Sequence, residues 1–325
     1  MIRIPYDNAV DVLAGILERR GFSPDRALAS ARLFADANRD GVLSHGMDRF
    51  RSYLRSIDGG FIDPAAQPVL VHSSGALEQW DGRLGPGNLN ALSCMARALE
   101  LSKEYGVGCV GLKNTNHWMR GGNYGWQAAE AGSIGICWTN TMPNLPPWGS
   151  SQPLVGNNPV IIAVPRDGGH VVLDMALSQF SYGALWRHAK EGKELPVPGG
   201  FDSHGELTRD PKAIEETMRP LPIGFWKGSG LSLLLDLVAA ALSGGKATCD
   251  IDPAPKRDTG VSQVFLAFSP PAYPGLADRV VASLDDGSNA RYPGRETLAR
   301  RRVSEELGIP VDEDVWEKIL GEQSL

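Results

Sequence analysis

Apolar positions early in the chain recur at helical spacing. Val10, Leu13, Ile16 and Leu17 fall on one face of a helix predicted over 6–20, which Gly21 stops. Ser23-Pro24-Asp25 provides an N-cap, a proline at the first helical position and a first-turn acid for a second helix, which runs to Asp40-Gly41. Ser44 is placed to cap a third, with Phe50, Tyr53, Leu54 and Ile57 on its apolar side and Gly59-Gly60 at its end. From about Val69 the period changes. Short β-branched runs appear at 69–72, 107–114, 133–140, 160–165, 170–175 and 262–268 and predict strands. Helical patterns separate them at 88–105 and at 230–243, the latter apolar nearly all round and so expected to be buried. Residues 190–222 are polar, rich in Gly and Pro, and read as a long loop; helices return at Glu296–Glu306 and Asp312–Leu320. No internal repeat is visible.

The 325 residues contain 38 Gly and 23 Pro, which predicts many turns and backbone-lined sites. The net charge of −6 argues against a nucleic-acid partner. The four cysteines, Cys94, Cys109, Cys137 and Cys249, have neither metal-ligand nor CxxC spacing, so no metal is expected. The N-terminus lacks the apolar run of a signal peptide. The longest apolar stretch, Leu231–Leu242, is broken by Asp236 and is too short to span a bilayer. These features point to a cytoplasmic protein without membrane attachment.

Gly106, Gly108 and Gly111 match the dinucleotide fingerprint G-x-G-x-x-G, but a helix precedes them and a strand contains them. A Rossmann fingerprint follows a strand and opens a helix, so the match reads as a helix stop. Trp226-Lys227-Gly228-Ser229-Gly230 opens the 230–243 helix; it is either an ordinary capped helix start or an anion-binding end. Ser44-His45-Gly46 with Arg49 carries the most chemistry. An Arg beside a His suits reduction of a carbonyl next to a carboxylate: Arg49 would hold the carboxylate in a fork and His45 would supply the proton. Arg49 and the helix N-terminus both disfavour imidazolium, so a carboxylate partner is expected near His45. Taken alone, the pattern also describes a first-turn histidine on a half-exposed helix. Asn116-His117-Trp118-Met119-Arg120-Gly121-Gly122, Trp138-Thr139-Asn140, Pro146-Pro147-Trp148-Gly149 and Gly156-Asn157-Asn158-Pro159 cluster polar groups and tryptophans on loops at strand ends, as a ligand site would. Asp174, closing a strand, could orient His45, bind a ribose hydroxyl or simply turn the chain.

Together, Ser44-His45-Gly46-x-x-Arg49, Asn116-His117, Gly156-x-Asn158-Pro159, Leu173-Asp174-Met175 and Lys227-Gly228-x-Gly230 resemble the malate/L-lactate dehydrogenase type 2 family. The resemblance covers the whole chain. It implies a non-Rossmann α/β (α+β) NAD(P)-binding fold with a largely antiparallel or mixed sheet. A helical unit from residues 1–75 and 290–325 would flank an α/β unit over 76–289. It further implies a reductase of a 2-keto acid that works as a homodimer, with NADH or NADPH. His45 would be the acid/base, with Asp174 as a second catalytic candidate. Ser44, Arg49, His117, Thr139 and Asn140 would bind substrate. A rim of Trp118, Arg120 and Trp148 suits a polyhydroxylated sugar acid. The cofactor site would comprise His170, Val171, Val172, Leu173, Asp174, Met175 and Ala176, then Trp226, Lys227 and Gly228, then Gly294, Arg295 and Glu296. One branch of the family has His where this chain has Arg295; an Arg there suits a 2′-phosphate and so NADPH. Rival expectations are another 2-keto acid, a cyclic imino acid, or a non-catalytic sugar-acid or nucleotide sensor.

Overall fold

The computed structural model describes residues 1–254, 257–270, 273–284, 287 and 290–324. In chain order it begins with β1 (Ile2–Ile4), α1 (Tyr6–Glu18), α2 (Pro24–Arg39), α3 (Met47–Asp58), β2 (Val69–Ser74), β3 (Leu77–Asp81), α4 (Gly87–Tyr105) and β4 (Val107–Asn116). There follow α5 (Gly122–Glu130), β5 (Ile134–Thr139), β6 (Val160–Val164), β7 (Val171–Met175), α6 (Tyr182–Glu191), β8 (Gly200–Phe201), β9 (Leu207–Thr208) and α7 (Pro211–Thr217). The chain closes with α8 (Trp226–Ser243), β10 (Thr259–Phe268), α9 (Leu276–Ala282), α10 (Arg295–Leu307), β11 (Ile309–Val311) and α11 (Glu313–Gly321).

The two chain ends are joined by β1 and β11, which pair antiparallel with Ile2 opposite Val311. Around them Leu13, Leu17, Phe34, Phe50, Trp316 and Ile319 form one buried core. The amphipathic stripes of α1, α2 and α3 therefore all turn inward on the C-terminal segment. The middle of the chain forms a seven-stranded sheet ordered β2-β3-β4-β10-β5-β6-β7. The β3–β4 pair is parallel and the rest antiparallel, so the sheet is mixed. β2, Val69–Ser74, is an edge strand of this sheet. The expected junction at 289 and the chain end at 325 lie outside the described residues.

The glycines of the apparent fingerprint have a packing role. Gly106 ends α4 in the left-handed region at φ +79. A Cβ on Gly108 would stand 2.0 Å from the Ala98 carbonyl oxygen of α4, and one on Gly111 2.4 Å from the Leu242 carbonyl oxygen of α8. Bare backbone at these two positions lets a helix lie directly on each face of β4.

Three elements depart from expectation. Residues 190–222 are not a plain loop: they carry β8, β9 and α7, which with α6 enclose a small core of Leu185, Leu195 and Ile214. So few apolar residues leave little periodicity to see. Ser44 does not cap α3. It lies in a 3-10 turn, Leu43–His45, and Gly46 occupies the cap position. Helix α8 is not buried all round. Its inward face is Gly228, Ser232, Asp236, Ala239 and Ser243, while Leu233, Leu234, Leu237 and Val238 point outward, Leu234 at 58% exposure. Ser232 and Asp236 are inside because they have partners. Ser232 receives a hydrogen bond from Asn158 Nδ2, and Asp236 accepts from Asn140 Nδ2 and the Thr248 N–H.

Candidate active site

The 3-10 turn that carries His45 is pinned from below. Asn38, fully buried in α2, accepts the Met47 N–H at 2.7 Å and donates to the Pro310 carbonyl at 2.7 Å. A Cβ on Gly46 would collide with Asn38 Oδ1 at 2.0 Å, so the glycine of the Ser-His-Gly sequence is a steric requirement. Ser44 Oγ meets His45 Nδ1 at 3.0 Å. The His45 ring stacks on His117 with centroids 5.9 Å apart and planes at 25°. His117 Nδ1 accepts the Met119 N–H at 2.9 Å, and its Nε2 stands 3.9 Å from Asp258 Oδ2.

His45, His117, Arg120, Asp174, Tyr292 and Gly294 line a common cavity of about 530 Å³. Burial, followed by the charge of Arg49, pulls His45 down to about 4; Asp174 opposes this and Arg120 adds to it. His117 is held well below the usual histidine range by burial, then by Arg49 and His45. Asp174 is thus the carboxylate expected near His45, acting through its field. It does not orient the ring: its Oδ2 accepts the Gly122 N–H at 2.9 Å, and Ser44 takes the ring nitrogen.

Behind the cavity is a buried ion network. Asp40 Oδ2 accepts from Arg120 Nη1, and its two oxygens accept from Arg301 Nε and Nη2 at 2.7 and 2.9 Å. Burial alone would raise the Asp40 carboxyl, but the Arg301 hydrogen bonds and the Arg120 charge hold it low. Arg120 also stands 3.9 Å from Asp174 Oδ2, and the Arg301 guanidinium lies 3.9 Å over the Trp126 ring, which contacts His170.

Ser44, His45, His117, Trp118, Arg120, Val172, Leu173, Asp174, Ala176 and Gly294 all line the cavity. Arg49 is exposed, yet close enough for its charge to act on both histidines. Trp118 lines the cavity as an inner wall, 2% exposed and packed on Tyr124 and Phe265. Arg120 lines the cavity from a buried position, with its Nη1 donating to Asp40. Several expected contacts fall elsewhere. Thr139 and Asn140 are buried brackets; Asn140 ties Asp236, the Lys246 carbonyl and the Ser262 N–H, which consumes its amide. Trp148 packs on Phe225, away from the cavity, and Trp226 is 66% exposed beside Lys227 at the start of α8. Gly228 is wedged against the Ile223 carbonyl. Val171 faces a separate apolar cavity with Val164 and Val280, and Met175 packs on the α8 side of the sheet. Arg295 and Glu296 are exposed on the first turn of α10. Conversely, Asp40, Asp258, Tyr292 and Arg301 shape the site without having stood out in the sequence as site residues. Asp40 looked like a helix stop.

The malate/L-lactate dehydrogenase family model matches residues 4–320. The chain belongs to this family. A 2,3-diketo-L-gulonate reductase of Citrobacter koseri is 42% identical over 330 residues, covering 98% of this chain and 99% of that protein. Among solved structures, a Δ1-piperideine-2-carboxylate reductase of Pseudomonas syringae superposes with TM-score 0.89 at 29% identity over 99% and 100% of the two chains. A sulfolactate dehydrogenase of Methanocaldococcus jannaschii does so with TM-score 0.90 at 27% identity over 100% and 98%. As a member of the malate/L-lactate dehydrogenase family, the chain is an oxidoreductase of hydroxy and keto acids, and membership implies a nicotinamide cofactor.

The residues present fit such a cofactor. One cavity wall is the edge strand β7 with the start of α10, whose Gly294 at φ +99 comes so near that a Cβ would lie 3.0 Å from the His170 carbonyl. The N-terminus of α10, which has no side-chain cap, stands at that wall, where a pyrophosphate would be favoured. Among the described residues, no cluster of three His, Cys, Asp or Glu could hold a metal, and no helix is long and apolar enough to cross a membrane.

Proposed function

We propose that this oxidoreductase reduces the 2-carbonyl of a sugar acid, 2,3-diketo-L-gulonate to 3-keto-L-gulonate, with NADH in the cytoplasm. The observation that carries the reading is the stacked His45–His117 pair in a cavity lined by Arg120 and within the field of Arg49, on a chain 42% identical to 2,3-diketo-L-gulonate reductases over 98% of its length. The nicotinamide supplies the hydride when bound. His45 delivers the proton to the carbonyl oxygen from Nε2, because Nδ1 is occupied by Ser44. Arg49 binds the substrate carboxylate, its charge already acting on both histidines of the site. The neutral His117 donates from Nε2 to a second substrate oxygen. Asp174 offsets the cationic field of Arg49 and Arg120 at His45, so that imidazolium is accessible during turnover.

Val172 to Ala176 and Gly294 hold the cofactor along β7. NADPH is the alternative, through Arg295, which is exposed at the start of α10. The helical unit and the sheet unit meet at this cavity and act as two domains. The outward leucines of α8 support a homodimer, which would also cover Trp226 and Lys227 and bring them to a cofactor site. The test is a rate comparison with NADH and NADPH over 2,3-diketo-L-gulonate, pyruvate, oxaloacetate and Δ1-piperideine-2-carboxylate. The diketo acid should give the highest kcat/KM; a tenfold preference for the cyclic imine would replace this reading. Tight cofactor binding with no turnover on any of them would favour a sensor.

A further inference from the structure

We infer that Asp258 is the positioning residue of the substrate side of the site: it fixes His117 as a hydrogen-bond donor and offsets the charge of Arg49. The inference rests on the reading of Arg49 as the carboxylate clamp.

The segment before β10 is locked to the loop after β4, because the His117 N–H donates to the Asp258 carbonyl at 3.0 Å. The Asp258 side chain is fixed at its other end, with Oδ1 accepting the Met142 N–H at 2.9 Å. His117 is fixed through Nδ1, which accepts the Met119 N–H; Met119 takes a left-handed φ of +63 to present it. A residue with a side chain occupies that region at a cost, so the contact is structurally enforced. With the Nδ1 lone pair used, the neutral ring carries its proton on Nε2. That nitrogen faces Asp258 Oδ2 at 3.9 Å. The gap is longer than a hydrogen bond. The carboxylate thus attracts and aligns the Nε2–H without consuming it, and leaves it for a substrate oxygen in the cavity His117 lines.

The charges agree with the geometry. His117 is faced by Arg49, His45 and Asp258, and burial with the first two keeps it neutral. Burial raises the Asp258 carboxyl, and the Met142 N–H and Arg49 oppose that rise only in part. In its carboxylate form, which the Met142 N–H favours, Asp258 tempers the field with which Arg49 draws an anion. Asp258→Asn keeps the bond to Met142 through Oδ1 but turns an amide N–H towards the Nε2–H. Donor then faces donor, and Met119 prevents the ring from switching tautomer.

The test has two arms. A two-bond 1H–15N spectrum of the wild-type protein should show His117 neutral and protonated on Nε2 across neutral pH; an Nδ1–H tautomer or an imidazolium would overturn the inference. In Asp258→Asn with NADH present, oxamate, a carboxylate-bearing keto-acid mimic, should bind roughly threefold or more tighter while kcat falls roughly tenfold. Cofactor affinity should stay unchanged. Wild-type kcat in this variant, or oxamate and NADH affinities weakened together, would overturn it. Arg49→Ala separates the two levels. Oxamate affinity unaffected by Arg49→Ala removes the carboxylate reading itself. Oxamate affinity lost there but unmoved by Asp258→Asn removes only the role of Asp258.

Discussion

His45 and His117 lie ring on ring, 5.9 Å apart, so that a proton on either raises the cost of a proton on the other. Both are depressed by burial and by Arg49, and His45 titrates at about 4. The free enzyme therefore holds His45 neutral at neutral pH. Reduction needs the protonated form, and kcat/KM reports the free enzyme, so kcat/KM for reduction should fall roughly tenfold per pH unit above about pH 4. In the oxidation direction it should rise to a plateau there. A reduction profile flat through neutrality would contradict this.

The same shift has a sign in stability. A histidine depressed from 6.5 to about 4 binds its proton more weakly folded than unfolded. The stabilisation is complete above about 6.5 and is lost as pH falls through 4, at most about 3 kcal/mol. His45→Ala should flatten that part of the pH dependence of chemical denaturation; an unchanged slope would be the contrary result.

Asp40 accepts from Arg120 and Arg301 in the interior, where an uncompensated charge is costly. Asp40→Asn should lower unfolding free energy by about 3–5 kcal/mol. Adding Arg120→Met should recover part of that loss. Two additive losses would show that no such pairing exists.

A Cβ on Gly183 would lie 2.9 Å from Ser44 Cβ and 3.1 Å from its Oγ. Gly183→Ala should push Ser44 away from His45 Nδ1 and reduce kcat by roughly tenfold, since small misplacements of a catalytic group are expensive. NADH affinity, read by fluorescence, should not move. Equal kcat in variant and wild type would rule out this steric link.

Much of this architecture is legible in the sequence, and the failures have physical causes. The stripe of Val10, Leu13, Ile16 and Leu17 and the β-branched runs declare themselves because burial on one face enforces a period. Helix α8 misleads because a hydrophobic pattern records burial without saying against what. Its Ser232 and Asp236 face inward to Asn158 and Asn140, and its leucines face out. His45 and Arg49 are visible as a local motif. Asp258, Asp40 and Arg301 are not, because each reaches the site through a partner far away in the chain. Trp118, a tryptophan on a Gly-rich loop, does reach the cavity wall, but its packing on Tyr124 and Phe265 is set by distant segments and cannot be read locally.

The most direct test of the central claim is a single-turnover measurement on wild-type protein and His45→Ala, each loaded with NADH and mixed with 2,3-diketo-L-gulonate. Wild type should consume NADH. His45→Ala should bind NADH with wild-type affinity and consume it at least roughly a hundredfold more slowly. Equal rates of NADH loss in the two proteins would contradict the assignment of His45 as the proton donor.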